Sequence, residues 1–152
     1  MKEQTDGTGK VEFKGAFNEV REHGGDSVNG VVCERTQSVI RVSFRKSQEM
    51  PAGQDSQPAE GFYLHVNGSF NPKADVSVSE SVYGVYQKNE NNVAVFYQAD
   101  EAKPCRMDLS IYGQDGTGTF ECKNLKRSSR QGGPAEVIEA KGNFSCKFRV
   151  VD

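Results

Sequence analysis

Four cysteines and two histidines are the side chains of this 152-residue sequence best suited to ligate a metal or attack an electrophile: Cys33, Cys105, Cys122, Cys146, His23 and His65. No two cysteines form the short Cys-x-x-Cys spacing that structural zinc sites use. His23 lies in a glycine-rich turn and His65 on the polar side of an alternating segment, so a His-rich centre lacks its ligands. No metal and no cofactor is therefore expected. Each cysteine alternates in phase with an apolar neighbour: Cys33 with Val31, Cys105 with Met107, Cys122 with Phe120, Cys146 with Phe144. Inward cysteines of this kind are structural far more often than nucleophilic. Their even number points to disulfides, and disulfides to a periplasmic or extracellular home.

The motif most open to a chemical reading is DGTGTFECKN at residues 115–124, nearly repeated as DGTGKVEFKG at 6–15. Aligned as an EF-hand, with Gly116 as the loop glycine, it places Ile111, Gly113 and Cys122 where oxygen ligands are required. A phosphate loop needs Gly-Lys-Ser/Thr ahead of a helix, and here a strand pattern follows. Asp-Gly is instead a favoured central pair for a type I′ hairpin turn. A turn centred there makes opposed residue numbers sum to 115 + 116 = 231, setting Ile111 against Phe120 and Leu109 against Cys122. The copy at residues 6–15 then reads as another turn entering an edge strand, and Gly142–Lys147 (GNFSCK) echoes Gly118–Lys123 (GTFECK).

Pairing of the cysteines follows from that register. Cys105 falls near Lys126, away from Cys122, while a connection centred near Pro134 sets Cys122 opposite Cys146, within disulfide reach. The expected bridges are Cys122–Cys146 and Cys33–Cys105.

Other chemistry is thinly supported. There is no Gly-x-Ser-x-Gly elbow and no dinucleotide-binding glycine motif, so no catalytic residue is assigned. Tyr63, Tyr83, Tyr86, Tyr97 and Tyr112 come from neighbouring strands and are candidates for stacking on a ligand, although tryptophan is absent. Lys123, Lys126, Arg127 and Arg130 open a basic stretch suited to an anionic surface. The net charge of −2 argues against nucleic acid as a partner.

These side chains need strands to hold them. Ile40, Val42 and Phe44 alternate with Arg41, Ser43 and Arg45; Met107, Leu109 and Ile111 alternate with Arg106, Asp108 and Ser110. Such period-two patterning marks antiparallel strands buried on one face. It predicts strands at about 10–17, 28–35, 38–46, 61–67, 74–79, 82–88, 93–98, 105–113, 117–125 and 135–150, the last broken near Gly142. Residues 1–9 read as a polar tether, 10–152 as one β domain, and 47–60 as a long mobile loop. No apolar run is long enough for a transmembrane segment, and no signal peptide stands at the start, so an exported chain would have lost it.

The expected fold is all-β, an antiparallel two-sheet sandwich of roughly 8–10 short strands, with an up-and-down barrel as the alternative. The expected function is a non-catalytic binding or interaction module of a secreted, periplasmic or surface protein, including one derived from a lipoprotein. Its partner is another protein or a cell-surface glycan. The alternatives are a barrel carrier of a small apolar ligand and a carboxylate-dependent glycoside hydrolase.

Overall fold

The computed structural model describes residues 7–24, 29–48, 57–71, 73–90, 93–99, 104–129 and 136–150. Among them every regular element is a strand, so the chain is all-β. The elements are β1 (Gly7–Gly15), β2 (Glu19–His23), β3 (Asn29–Arg35), β4 (Val39–Gln48), β5 (Gln57–Asn67), β6 (Val76–Glu90), β7 (Val93–Gln98), β8 (Cys105–Tyr112), β9 (Asp115–Ser129) and β10 (Val137–Val150). Hydrogen bonds join all ten into one mixed sheet in the order β2-β1-β10-β3-β4-β5-β6-β7-β9-β8. Further pairings of β9 with β10 and of β6 with β8 return the sheet on itself as a ring.

Two long strands span the height of this ring. β6 pairs with β8 along residues 76–82 and with β7 along 86–90. β9 does the same on the other side, meeting β8 and then β7. The short strands β7 and β8 thus share one slot. Every pairing is antiparallel except β3 with β10, where Cys33 lies beside Phe148 and Arg35 beside Val150.

The core between the walls is aromatic. Phe44 of β4 meets Phe120 and Phe144 of β9 and β10 at 5.4 and 6.1 Å between ring centroids, and Phe62 of β5 stacks on Phe120 at 5.2 Å. One end of the ring is held by Arg35, only 1% exposed, which donates to the carbonyls of Asn71 and Ala74 at 2.7 and 2.8 Å.

Several expectations need correction. The hairpin turn lies at Gly113–Gln114, because Tyr112 faces Asp115 and Ile111 faces Gly116. Gly113 takes φ +63° and Gln114 does not share a positive φ, the pattern of a type II′ turn with glycine first. Opposed numbers sum to 227, four less than expected. That slip brings Cys105 directly opposite Cys122, and these two form a disulfide with Cα atoms 4.0 Å apart. In β10, Cys146 faces Gly116 and Cys122 faces Ala140, so Cys122 and Cys146 never meet. Cys146 instead bridges to Cys33 on the adjacent parallel strand, Cα to Cα 6.4 Å. All four cysteines are paired, as expected, but with the other partners.

The described residues of both DGTG copies, Gly7–Gly9 and Asp115–Gly118, lie within strands. β1 and β9 flank β10, and Thr8 and Thr117 both face Ser145 from opposite sides. In the same frame Gly7 and Gly116 flank Cys146, and Gly9 and Gly118 flank Phe144. A Cβ on Gly118 would stand 2.5 Å from the Phe144 ring, and one on Gly9 would stand 2.5 Å from Phe44. The repeated glycines therefore leave room for inward aromatic rings, which is a packing role.

Strand bounds also shift. β1 begins at Gly7, inside the stretch expected to be a tether, and residues 1–6 lie outside the described residues. β2 was not anticipated; the expected strands at 74–79 and 82–88 are one strand, β6. β4 and β5 extend into the expected 47–60 loop, and residues 49–56 lie outside the described residues. β10 runs unbroken through Gly142. Opposite it, Lys123 and Asn124 of β9 together face Glu139, with Asn124 at φ +59°. This bulge resets the alternation, so that Cys122 and Leu125 both point inward.

Candidate functional site

The outward residues of β1, β10, β9, β8 and β6 fall into rows, because their registers align. One row is entirely hydroxyl: Thr8, Ser145, Thr117, Ser110 and Ser77. The next is Lys10, Asn143, Thr119, Asp108 and Ser79. Beyond it Glu12, Lys141, Glu121 and Arg106 alternate in sign, an arrangement in which each cross-strand pair is attractive. On the far side of the hydroxyl row stand Lys147, Asp115 and Tyr112.

The two middle rows carry mostly short side chains and the outer rows long ones. The result is a trough across the strands, formed by adjoining hollows of about 580 and 460 Å³. Its floor includes Thr117, Thr119, Asp108 and Asn143. Ser79 donates to Asp108 Oδ1 at 2.5 Å, which fixes that carboxylate at the β6 side. The larger hollow sets Lys10, Arg106 and Lys141 against Glu12, Asp108 and Glu121, three cations to three anions, so its lining is neutral overall. Tyr112, 69% exposed, stands on β8 one row beyond Ser110 of the hydroxyl row.

A second polar group lies inside. Glu60 of β5 accepts from Tyr86 Oη at 2.6 Å and from Arg21 Nε at 2.7 Å, and Arg21 also pairs with Glu19. Burial favours the neutral Glu60 acid, but the hydrogen bonds from Tyr86 and Arg21 outweigh it and hold the carboxyl below its ordinary range. Burial, with Glu60 beside it, pushes the Tyr86 hydroxyl far up. His23 is 5% exposed, and its Nδ1 lies 3.3 Å from the Arg45 carbonyl. Burial pushes this imidazole down, against the pull of that carbonyl and Glu60. Space here is about 10 Å³, beside Arg21, His23, Glu60 and Tyr86. Arg21 and His23 thus tie β2 to β5 and β4. A parallel arrangement holds β7 to the start of β10: Tyr97 donates to Glu136 Oε2 at 2.8 Å, with Arg127 3.7 Å from the same oxygen.

The tyrosines expected to form one stacking face are divided. Tyr86 and Tyr97 are buried in the core, their rings 5.7 Å apart and packed on Phe17. Tyr83 and Tyr86 lie three residues apart on one strand, which puts them on opposite faces. Tyr83 is outward, over His65 and bonded to Gln98, while Tyr63 is half-buried on β5. None of the five lines either hollow; Tyr112 stands one row beyond the hydroxyl row. The basic residues are likewise dispersed. Lys123 is exposed and pairs with Glu121 at 3.6 Å; Arg127 is half-buried against Glu136; Lys126 is exposed; Arg130 lies outside the described residues.

Sequence reasoning placed Arg106, Asp108 and Ser110 on an outward face but missed the rows. The signal was present in the Thr of each DGTG copy, had the two been read as neighbours of one strand. Comparison of the chain with family models, curated proteins and solved structures found no match. No group of three or more potential metal ligands occurs among the described residues.

Proposed function

We propose that this chain is a non-catalytic binding module of an exported protein and that the trough across β1, β10, β9, β8 and β6 is its binding face. The observation that carries the reading is the alignment of hydroxyl, amide and charged side chains in rows across five strands, with long side chains as rims. Rigid strands present such groups with little ordering cost on binding. Both disulfides are consistent with an oxidising compartment. Among the described residues the core is aromatic, and the space of about 10 Å³ beside Glu60 would not admit a small apolar ligand, which favours a surface binder over a carrier.

The test is a screen of immobilised protein against glycans, extracellular proteins and anionic vesicles, with Thr119→Arg as the blocked control. Thr119 is exposed on the trough floor, so the arginine fills the trough without entering the core. Saturable binding that the blocked variant loses, with the ligand recovered unchanged, is the expected result. Binding indifferent to the block, or chemical turnover of the ligand, overturns the proposal.

A further inference from the structure

Resting on that reading of the trough, we infer that its occupant is a linear, neutral glycan laid across the strands, with about one sugar ring per strand. Three observations lead there. First, the lining of the larger hollow is charge-balanced, so it offers no net field for a polyanion. Second, the floor repeats polar groups at every strand: Lys10, Asn143, Thr119, Asp108 and Ser79, one from each of the five strands, line the two hollows, with Thr117, Ser110 and Ser77 of the hydroxyl row beside them. Strands are spaced about 4.8 Å apart, close to the advance of one pyranose in an extended chain. A peptide would seek free backbone groups at a sheet edge, whereas β10, β9 and β8 have neighbours on both sides. Third, an aromatic face is available where sugars use one. Tyr112 is exposed one row beyond Ser110 on the same face of β8, outside the hollows themselves, where its ring can meet a sugar that overhangs the hydroxyl row, while Asp108 and Asn143 on the floor bond vicinal hydroxyls with their paired polar atoms.

Calorimetry with oligomers of β-1,4-linked glucose, mannose and N-acetylglucosamine, from dimer to hexamer, tests the inference. For at least one sugar, affinity should climb with each added ring up to about five, matching the strand count. It should change little with salt, because neutral ligands release no ions. Thr117→Val removes one central hydroxyl and keeps a β-branched side chain, and it should weaken the longer oligomers about three- to tenfold. Tyr112→Ala should weaken them comparably; neither substitution touches the core, and thermal melts would check that both variants remain folded. Equal affinity for dimer and hexamer, or binding only to charged glycans with steep salt dependence, overturns the inference and leaves the binding module standing. If no glycan of any kind binds while a protein does, and Thr119→Arg abolishes that contact, the glycan falls and the trough remains. If Thr119→Arg changes nothing, both fall.

Discussion

Tyr86→Phe deletes one oxygen and nothing else from the core. That oxygen donates to Glu60 at 2.6 Å, and Tyr86 is 2% exposed, so water cannot replace the bond. A hydrogen bond to a charged group contributes about 1.5–3 kcal/mol. Arg21 stays to hold the carboxylate, which argues for the middle of that range, about 2 kcal/mol at neutral pH. For a chain of this length such a loss lowers Tm by roughly 4–8 °C. The bond also depresses the folded Glu60 pKa. The sign follows: a depressed carboxyl contributes stability above its unfolded pKa and loses it as pH falls through the folded one. Wild type and Tyr86→Phe should therefore converge as pH drops below about 4. Urea titrations of both proteins at pH 7 and pH 3, with Glu60→Gln completing a double-mutant cycle, measure this. A Tyr86→Phe penalty of the same size at both pH values would refute the assignment of the bond to an ionised Glu60.

Three other outcomes follow from the packing. His23 is buried with its pKa pushed down, so the unfolded chain takes up the proton first; stability should decline as pH falls below about 6.5, and His23→Gln should flatten that slope in denaturation midpoints between pH 7 and 5. Gly118→Ala places a methyl 2.5 Å from the Phe144 ring and 2.8 Å from the Asp108 carbonyl, and should cost about 1–3 kcal/mol by overpacking, read as a lower urea midpoint at unchanged m-value. Non-reducing peptide mapping should yield Cys33–Cys146 and Cys105–Cys122 peptides, and replacing each pair in turn by alanine should cost nearly 5 kcal/mol for the bridge separated by 113 residues and about 3 for the one separated by 17.

Much of the fold could be read from alternation alone, and where it failed the cause is local. Met107, Leu109 and Ile111 point inward as their period requires, because one face of β8 is buried. Register was the weak point. Gly113 and Asp115–Gly116 are both plausible turn centres, and both set apolar residues inward; a shift of four in the sum preserves parity, so hydrophobic pattern could not choose between them. The choice was made by the inward glycines, since Gly116 and Gly118 must face the bulk of Phe148 and Phe144. That is a tertiary constraint, invisible until β10 is known to lie beside β9. The disulfide partners were lost with the register. The trough was hidden for the same reason: its outward residues carry no apolar signal, and only aligned strands turn scattered serines and threonines into rows. Tyr86 and Tyr97 were mistaken for surface groups because a tyrosine hydroxyl can be buried when a carboxylate receives it.

The Cys33–Cys146 bridge also decides how the protein would bear tension. Gly7 pairs with Cys146, so the outer ends of β1 and β10 emerge side by side. A pull across Gly7 and Val150 would peel β1 away one backbone bond at a time, then β2, then the first half of β3. There the covalent bridge takes the load. The chain released between residues 7 and 33 is 33 − 7 = 26 steps, an extension of roughly 90 Å at full stretch. Everything from residue 34 to 145 sits inside the covalent loop and feels no axial force. Under load the trough would lose its β1 wall, with Thr8, Lys10 and Glu12, and keep the four strands β10, β9, β8 and β6. Held at Gly7 and Val150, the protein would then behave as a tether of fixed reach that yields gently, stops at a hard limit, and keeps four of the five trough strands when taut.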